Sequence, residues 1–257
     1  MEQLKVIKVG GKIVEENDTL NVLLNDYAKV EGRKILVHGG GRSATKISAQ
    51  LGIETQMIDG RRVTDAETLK VVTMVYAGLV NKTIVASLQA RGINAIGVCG
   101  ADAGIILSNK RPATPIDYGY VGDVVKVDGD MLANLLKGGT YPVVAPITHD
   151  GAGNLLNTNA DTIASEVAKG VAEKFDVTLI YCFEKPGVLM DENDDNSVIP
   201  LIDKAKFEEL KAKGIVSGGM LPKLQSAFKA LEDGVKEVVI THASAIGNPN
   251  AGTHIVL

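Results

Sequence analysis

Short apolar runs alternate with amphipathic stretches along this chain. "LKVIKVGG" at 4–11 and "KILVHGGG" at 34–41 have the β-branched, near-continuous apolar character of buried strands. Between and after them, around 18–31 and 43–51, apolar positions recur as they do on one face of a helix. Residues 65–91 form a longer helical pattern with Leu69, Val72, Val75 and Leu79 at spacings of three and four, followed by the strand-like "NAIGVCG". Such alternation predicts parallel strands joined by crossover helices. The pattern changes from about 104 to 128. There "IILSNKR" and "YGYVGDVVKV", punctuated by Gly and Pro, predict β-hairpins, as does "THDGAGNLLN" at 148–157. Hairpins on an α/β core suggest a lid or wall over a ligand. A helix is then predicted near 160–174, the strand "VTLIYCF", an acidic turn "DENDDN", helices near 204–213 and 220–232, the strand "EVVI" and the run "GTHIVL". Leu221, Leu224, Phe228 and Leu231 give the 220–232 helix one apolar face. With no repeat, low-complexity segment or evident linker, two lobes sharing one sheet are expected.

Composition fits that picture. The 257 residues are 45% hydrophobic and 23% charged, enough for one large α/β domain or two lobes. A formal net charge of −4 argues against nucleic acid and anionic membranes as partners. Cys99 and Cys182 each lie in an apolar run, far apart, which suits reduced buried thiols. No stretch is read as approaching the roughly 18 apolar residues that span a membrane, and the chain starts almost directly with a strand, so a cytoplasmic protein without a signal peptide is expected.

One residue breaks the strand pattern. Lys8 stands inside "VIKVGGK", and a lysine is seldom buried unless something meets its charge. Gly10-Gly11, Gly39-Gly40-Gly41 and Gly218-Gly219 all fall where a strand is expected to hand over to the next element. Glycine lets a ligand approach backbone N–H groups, and a following helix adds the positive end of its dipole. Taken singly, each turn is explained by tight chain reversal; together, and with two of them near Lys8 and Lys223, they point to a bound anion. The usual nucleotide signatures are missing: there is no G-x-x-x-x-G-K-[ST], and "GGGRSA" fails G-x-G-x-x-G at Ala44. The four histidines lack partners at metal-ligand spacing, and His38 reads as a packed strand-end residue rather than a base.

"IKVGGK", "LVHGGG", "DGRRVTD", "VNKTIVASL", "LLNTNADTIA" and "GGMLPKL", in this order and at these intervals, closely resemble the N-acetylglutamate kinases of the amino acid kinase family. The resemblance runs nearly end to end. It implies a three-layer αβα sandwich around a mainly parallel central sheet. An amino-terminal lobe, about 1–175, would bind the acylated amino acid and dimerise, and a carboxy-terminal lobe, about 176–257, would bind MgATP as co-substrate, with no tightly bound protein-ligated metal. The activity implied is phosphorylation of the side-chain carboxylate of an N-acylglutamate to an acyl phosphate, the second step of arginine biosynthesis. Alternatives are a kinase for carbamate, aspartate or glutamate, or a non-catalytic sensor of nucleotide or amino acid on the same fold.

By the same resemblance Lys8 and Lys223 stabilise the transition state, one from each lobe, and Asp161 holds them in place. Asp161 is also a favourable acid for the first turn of a helix. Asn157 and Arg62 match residues that grip the α-carboxylate, Gly40 and Gly41 match backbone contacts to the substrate, and Gly11 matches a phosphate contact. Glu184, Gly187, Leu189 and Ser217 correspond to the nucleotide site. The chemistry agrees with the residue types: a carboxylate nucleophile is already ionised, so the reaction calls for positive charge and oriented N–H donors rather than a base. Three features depart from the family pattern. "CFEKPGVL" carries Glu184 and Lys185 where an aspartate-containing segment is expected, and no amino-terminal helical extension is seen, which implies an arginine-insensitive homodimer. Arg61 stands where an uncharged residue is expected. In an extended segment it would face away from Arg62, toward solvent or an acidic neighbour; otherwise it would receive an added negative group, such as a succinyl in place of an acetyl.

Overall fold

The computed structural model describes every residue except Asp59. The amino-terminal part runs β1 (Gln3–Val9), α1 (Gly11–Glu15), α2 (Asn17–Lys29), β2 (Arg33–His38) and α3 (Gly41–Gln50). A small hairpin, β3 (Met57–Ile58) and β4 (Arg61–Arg62), leads to one continuous helical rod. This comprises α4 (Ala66–Thr73), a π-helical segment (Met74–Val80) and α5 (Asn81–Gln89). Next come β5 (Ala95–Val98), β6 (Ile106–Lys110), β7 (Gly122–Val127), α6 (Gly129–Lys137), β8 (Tyr141–Val144), β9 (Ile147–His149) and β10 (Leu155–Asn157). The chain closes with α7 (Ala160–Val171), β11 (Asp176–Phe183), β12 (Leu201–Ile202), α8 (Lys204–Ala212), α9 (Met220–Glu232), β13 (Glu237–His242) and β14 (Thr253–Ile255).

Eight strands form the central sheet in the order β12-β14-β13-β11-β1-β2-β8-β5. Every neighbouring pair is parallel except β13 with β14. Period-two alternation on β1 builds the layers. Leu4 and Val6 point to a core shared with Leu132 of α6, Val167 of α7, and Leu224 and Phe228 of α9. Ile7 and Val9 point to the opposite core, with Leu23 and Tyr27 of α2, Val72 of α4 and Ile84 of α5. This is the expected αβα sandwich. From β1 the sheet grows toward β2, and from β11 it grows toward β13, so a crevice opens at the carboxyl ends of β1 and β11, where ligands of open α/β sheets bind.

The hairpin-like middle of the chain forms a separate four-stranded sheet, β10-β9-β6-β7, that walls one side of this crevice. Three readings are corrected. The apolar pattern yielded no element over 129–147, yet α6 and β8 lie there, with Asp128 capping α6 through the Met131 N–H at 2.9 Å and four-residue β8 inserted between β2 and β5. Gly218-Gly219 opens α9 but follows α8 and a turn, not a strand. The rod 66–89, in which no apolar stretch of membrane-spanning length was expected, is by length and composition apolar enough to cross a bilayer; here Val71, Val72, Val75, Ile84 and Leu88 are buried in the core beside the sheet.

Candidate active site

Because Lys8 follows Leu4 and Val6 on the same face of β1, its side chain emerges beneath α7 and α9, at the carboxyl edge of the sheet. Its Nζ lies 2.6 Å from Asp161 Oδ1. This is a close, charge-assisted ion pair, and it gives the buried lysine the carboxylate that its burial calls for. Asp161 sits in the first turn of α7, but it does not cap the helix. Asn159 does so, its side chain accepting from the N–H groups of Asp161 at 2.8 Å and Thr162 at 3.1 Å. The Asp161 carboxylate is thereby free to face the lysines.

Lys223, on the first turns of α9, places its Nζ 3.7 Å from the centroid of the Phe183 ring, and Lys8 Nζ stands 5.5 Å from the same centroid. The ring's negative face and one carboxylate therefore hold two ammonium groups together. Burial pulls the Lys223 pKa below the usual lysine range; Asp161 opposes that fall and Lys8 adds to it.

The glycine turns touch backbone to backbone. A Cβ on Gly39 would lie 3.1 Å from the Gly11 nitrogen, and one on Gly11 would lie 3.4 Å from the Gly41 nitrogen, so side chains would force the two loops apart. His38 fixes the second loop from below. It is fully buried, its Nδ1 donates to the Gly39 carbonyl at 2.7 Å, and its Nε2 accepts from Asn81 at 3.1 Å. Burial drives the His38 pKa down to about 4, so the ring is neutral and structural, as its sequence position suggested.

Two adjoining cavities share Gly11, Gly41, Met57 and Arg62 as walls. The smaller, about 220 Å³, is lined by Gly40, Asn157 and three arginines, Arg61, Arg62 and Arg111. Buried Arg62 is held by bonds from Nη2 to the Gly41 carbonyl and Thr45 Oγ1, both 2.8 Å, while Asn157 Nδ2 donates to Thr64 Oγ1 at 3.0 Å. The larger, about 880 Å³, carries Lys8, Lys12, Arg42, Lys46, Lys185 and Lys223 against Asp161 and Glu184, a wall suited to a polyanion.

Glu184 and Gly187 line this larger cavity. Glu184 pairs with Lys12 Nζ at 2.8 Å, and Gly187 is required because a Cβ would come 2.7 Å from Thr253 Oγ1. Leu189, bridged to Val198, and Ser217, whose carbonyl accepts from Met220 N–H at 3.2 Å, line neither cavity. Four contributors carried no role in the sequence: Lys12, Phe183, Arg111 and Asp123. Lys12 lay inside a quoted motif, and Phe183 ended a predicted strand; Arg111 and Asp123 meet only through hairpin pairing. No group of three or more His, Cys, Asp or Glu side chains gathers as a metal site among the described residues.

The model of the amino acid kinase family matches residues 3–242. An acetylglutamate kinase of Bacteroides thetaiotaomicron is 66% identical over 254 residues, 99% of this chain and 98% of that protein. One from Bacteroides fragilis is 65% identical over 254 residues, 99% of this chain and 97% of that protein. Among solved structures, a carbamate kinase of Giardia lamblia bound to AMP-PNP superposes with a TM-score of 0.72 at 13% identity, covering 99% of this chain and 98% of that one, which shows a shared fold.

Proposed function

The chain belongs to the amino acid kinase family, and on that premise we propose that it transfers the γ-phosphoryl group of ATP to the side-chain carboxylate of N-acetylglutamate, a step of arginine biosynthesis. The single observation that carries the mechanism is the Lys8, Asp161, Lys223 cluster beside the wall between the two cavities. ATP occupies the larger cavity, with its phosphates against Lys8, Lys223 and the Gly11 turn. The acylated amino acid occupies the smaller one, with its α-carboxylate on Arg62 and Asn157. A side-chain carboxylate oxygen attacks the γ-phosphorus, the bond to the β,γ-bridging oxygen breaks, and acyl phosphate and ADP result. No proton moves, so no base is needed. Lys8 and Lys223 neutralise charge spreading over the equatorial oxygens, while Asp161 keeps the two ammonium groups close enough to act together. Mg²⁺ arrives on the nucleotide's phosphates, as is usual for this ion. Glu184 and Gly187 form part of the nucleotide wall, whereas Leu189 and Ser217 act on it indirectly, through the β11–β12 and α8–α9 connections in which they lie.

Residues 1–175 and 176–257 supply the amino-acid and nucleotide lobes of a cytoplasmic homodimer. The dimer reading rests on exposed Met74 and Leu79 of the 66–89 rod and exposed Ile96 on edge strand β5. Hydroxylamine trapping of the acyl phosphate, run with ATP and a panel of acids, tests the activity. Hydroxamate with N-acetylglutamate is expected. Hydroxamate with only aspartate, glutamate or carbamate would make it another kinase of the family, and none at all despite nucleotide binding would make it a sensor.

A further inference from the structure

Charge in the smaller cavity does not balance for an acetylated substrate. Three arginines line it: Arg61 and Arg62 from β4, and Arg111 just past the end of β6. Asp123 of β7 is the carboxylate of the same wall. Arg111 Nε donates to both Asp123 oxygens, at 3.1 and 3.2 Å, and its Nη2 bonds to Oδ1 as well. Tyr118 flattens the group from one side, its ring centroid 5.4 Å from Arg111 Cζ. One edge of the fork is therefore spent, whereas Nη1 is buried with no acceptor among the described residues. A buried charged donor left unmade is costly, and a ligand oxygen repairs it.

The α-carboxylate of an acylglutamate answers Arg62, and Asp123 answers Arg111 in part. The acetyl methyl group answers neither Arg61 nor the remaining edge of Arg111. Adjacent Arg61 and Arg62 alternate in exposure, as extended backbone dictates, yet both line the cavity; Arg61 also lines a neighbouring cleft with Asp161 and Glu166, so it stands at the rim between the two. We propose that Arg61 and Arg111 receive a second carboxylate at the end of the acyl chain, so that the preferred substrate is an N-acylglutamate whose acyl group derives from a short dicarboxylic acid, of the N-succinyl type. The proposal rests on the kinase reading above and sets the acyl specificity of that same site. The phosphoryl transfer is unchanged. The added carboxylate is bound, not phosphorylated, because the reacting carboxylate is the one beside Lys8.

The test uses the intact protein with ATP and three substrates: N-acetylglutamate, N-butyrylglutamate and N-succinylglutamate. The butyryl compound matches the succinyl chain in length but lacks its charge. kcat/KM for the succinyl compound is expected to exceed both others by about tenfold or more, as for a site built around a charged hydrogen-bonding group. Arg61→Ala and Arg111→Met should each reduce the succinyl-to-acetyl ratio of kcat/KM, and Arg61→Lys should restore part of it. Arg61 is exposed, so its variants remain informative even if Arg111→Met fails to fold. Equal or better turnover of the acetyl or butyryl compound, or an unchanged ratio in Arg61→Ala, overturns the acyl assignment alone. Absence of turnover with all three overturns the kinase reading itself.

Discussion

In the proposed mechanism Lys8 and Lys223 supply positive charge to the reacting phosphoryl group more than to either ground-state ligand. Removing one ammonium, in Lys8→Ala or Lys223→Ala, is expected to reduce kcat by about 10²-fold or more, on the order of 3 kcal/mol, with smaller changes in KM. Steady-state kinetics on variants shown to be folded check this, and a loss confined to KM would assign the residue to binding. Asp161 has a separate signature. Lys223 already sits below its ordinary pKa because it is buried, and Asp161 is the group that holds it up. Neutralising that carboxylate in Asp161→Asn lowers the Lys223 pKa further, so the ammonium is lost at a lower pH as pH rises. The alkaline limb of kcat should therefore move to lower pH. A residue that only favoured the helix start would leave that limb in place, and Asn159 already satisfies the first N–H groups of α7.

At the level of the element, the loop after β2 owes its shape to a histidine that must stay neutral. His38 titrates near 6.5 when unfolded and at about 4 in the fold, because burial disfavours its charged form. Between those values the unfolded chain binds the extra proton, so stability rises with pH through this window and is lost as pH falls. The contribution is on the order of 3 kcal/mol across it. Melting curves of the protein and of His38→Asn should diverge from pH 6.5 down to 4, the variant showing the shallower pH dependence. Parallel curves would mean that other groups carry the acid sensitivity. Since the loop forms a wall of both cavities, the same protonation should weaken both substrates together.

For the whole molecule, the 66–89 rod is apolar on more than the face it buries. Met74 and Leu79 of the rod remain exposed, as does Ile96 on edge strand β5, which packs against α5 of the same rod and leaves its outer backbone edge unpaired. In sedimentation the protein is expected to run at twice the mass of one chain, and Leu79→Lys with Met74→Lys should convert it to monomer. A wild-type monomer would remove the dimer. The residues proposed for the site all lie in one chain, so a monomer is expected to keep the chemistry.

Periodicity alone was enough to reveal the α/β alternation, the 220–232 helix to the residue, and the hairpins of the middle segment, because buried faces impose spacings of two and three to four on the sequence. It also flagged Lys8, since a charge inside a buried strand stands out against its neighbours. The short β8 and α6 escaped because four apolar residues and a two-turn helix leave little periodic signal. Which side of β1 carries Lys8, and hence that it meets Asp161 from 153 positions later and Lys223 from α9, depended on sheet order and crossover packing, which no local spacing encodes. The same holds for Arg111. Its placement among Arg61 and Arg62 comes from the second sheet folding over the crevice, so the charge of the smaller cavity is a tertiary property.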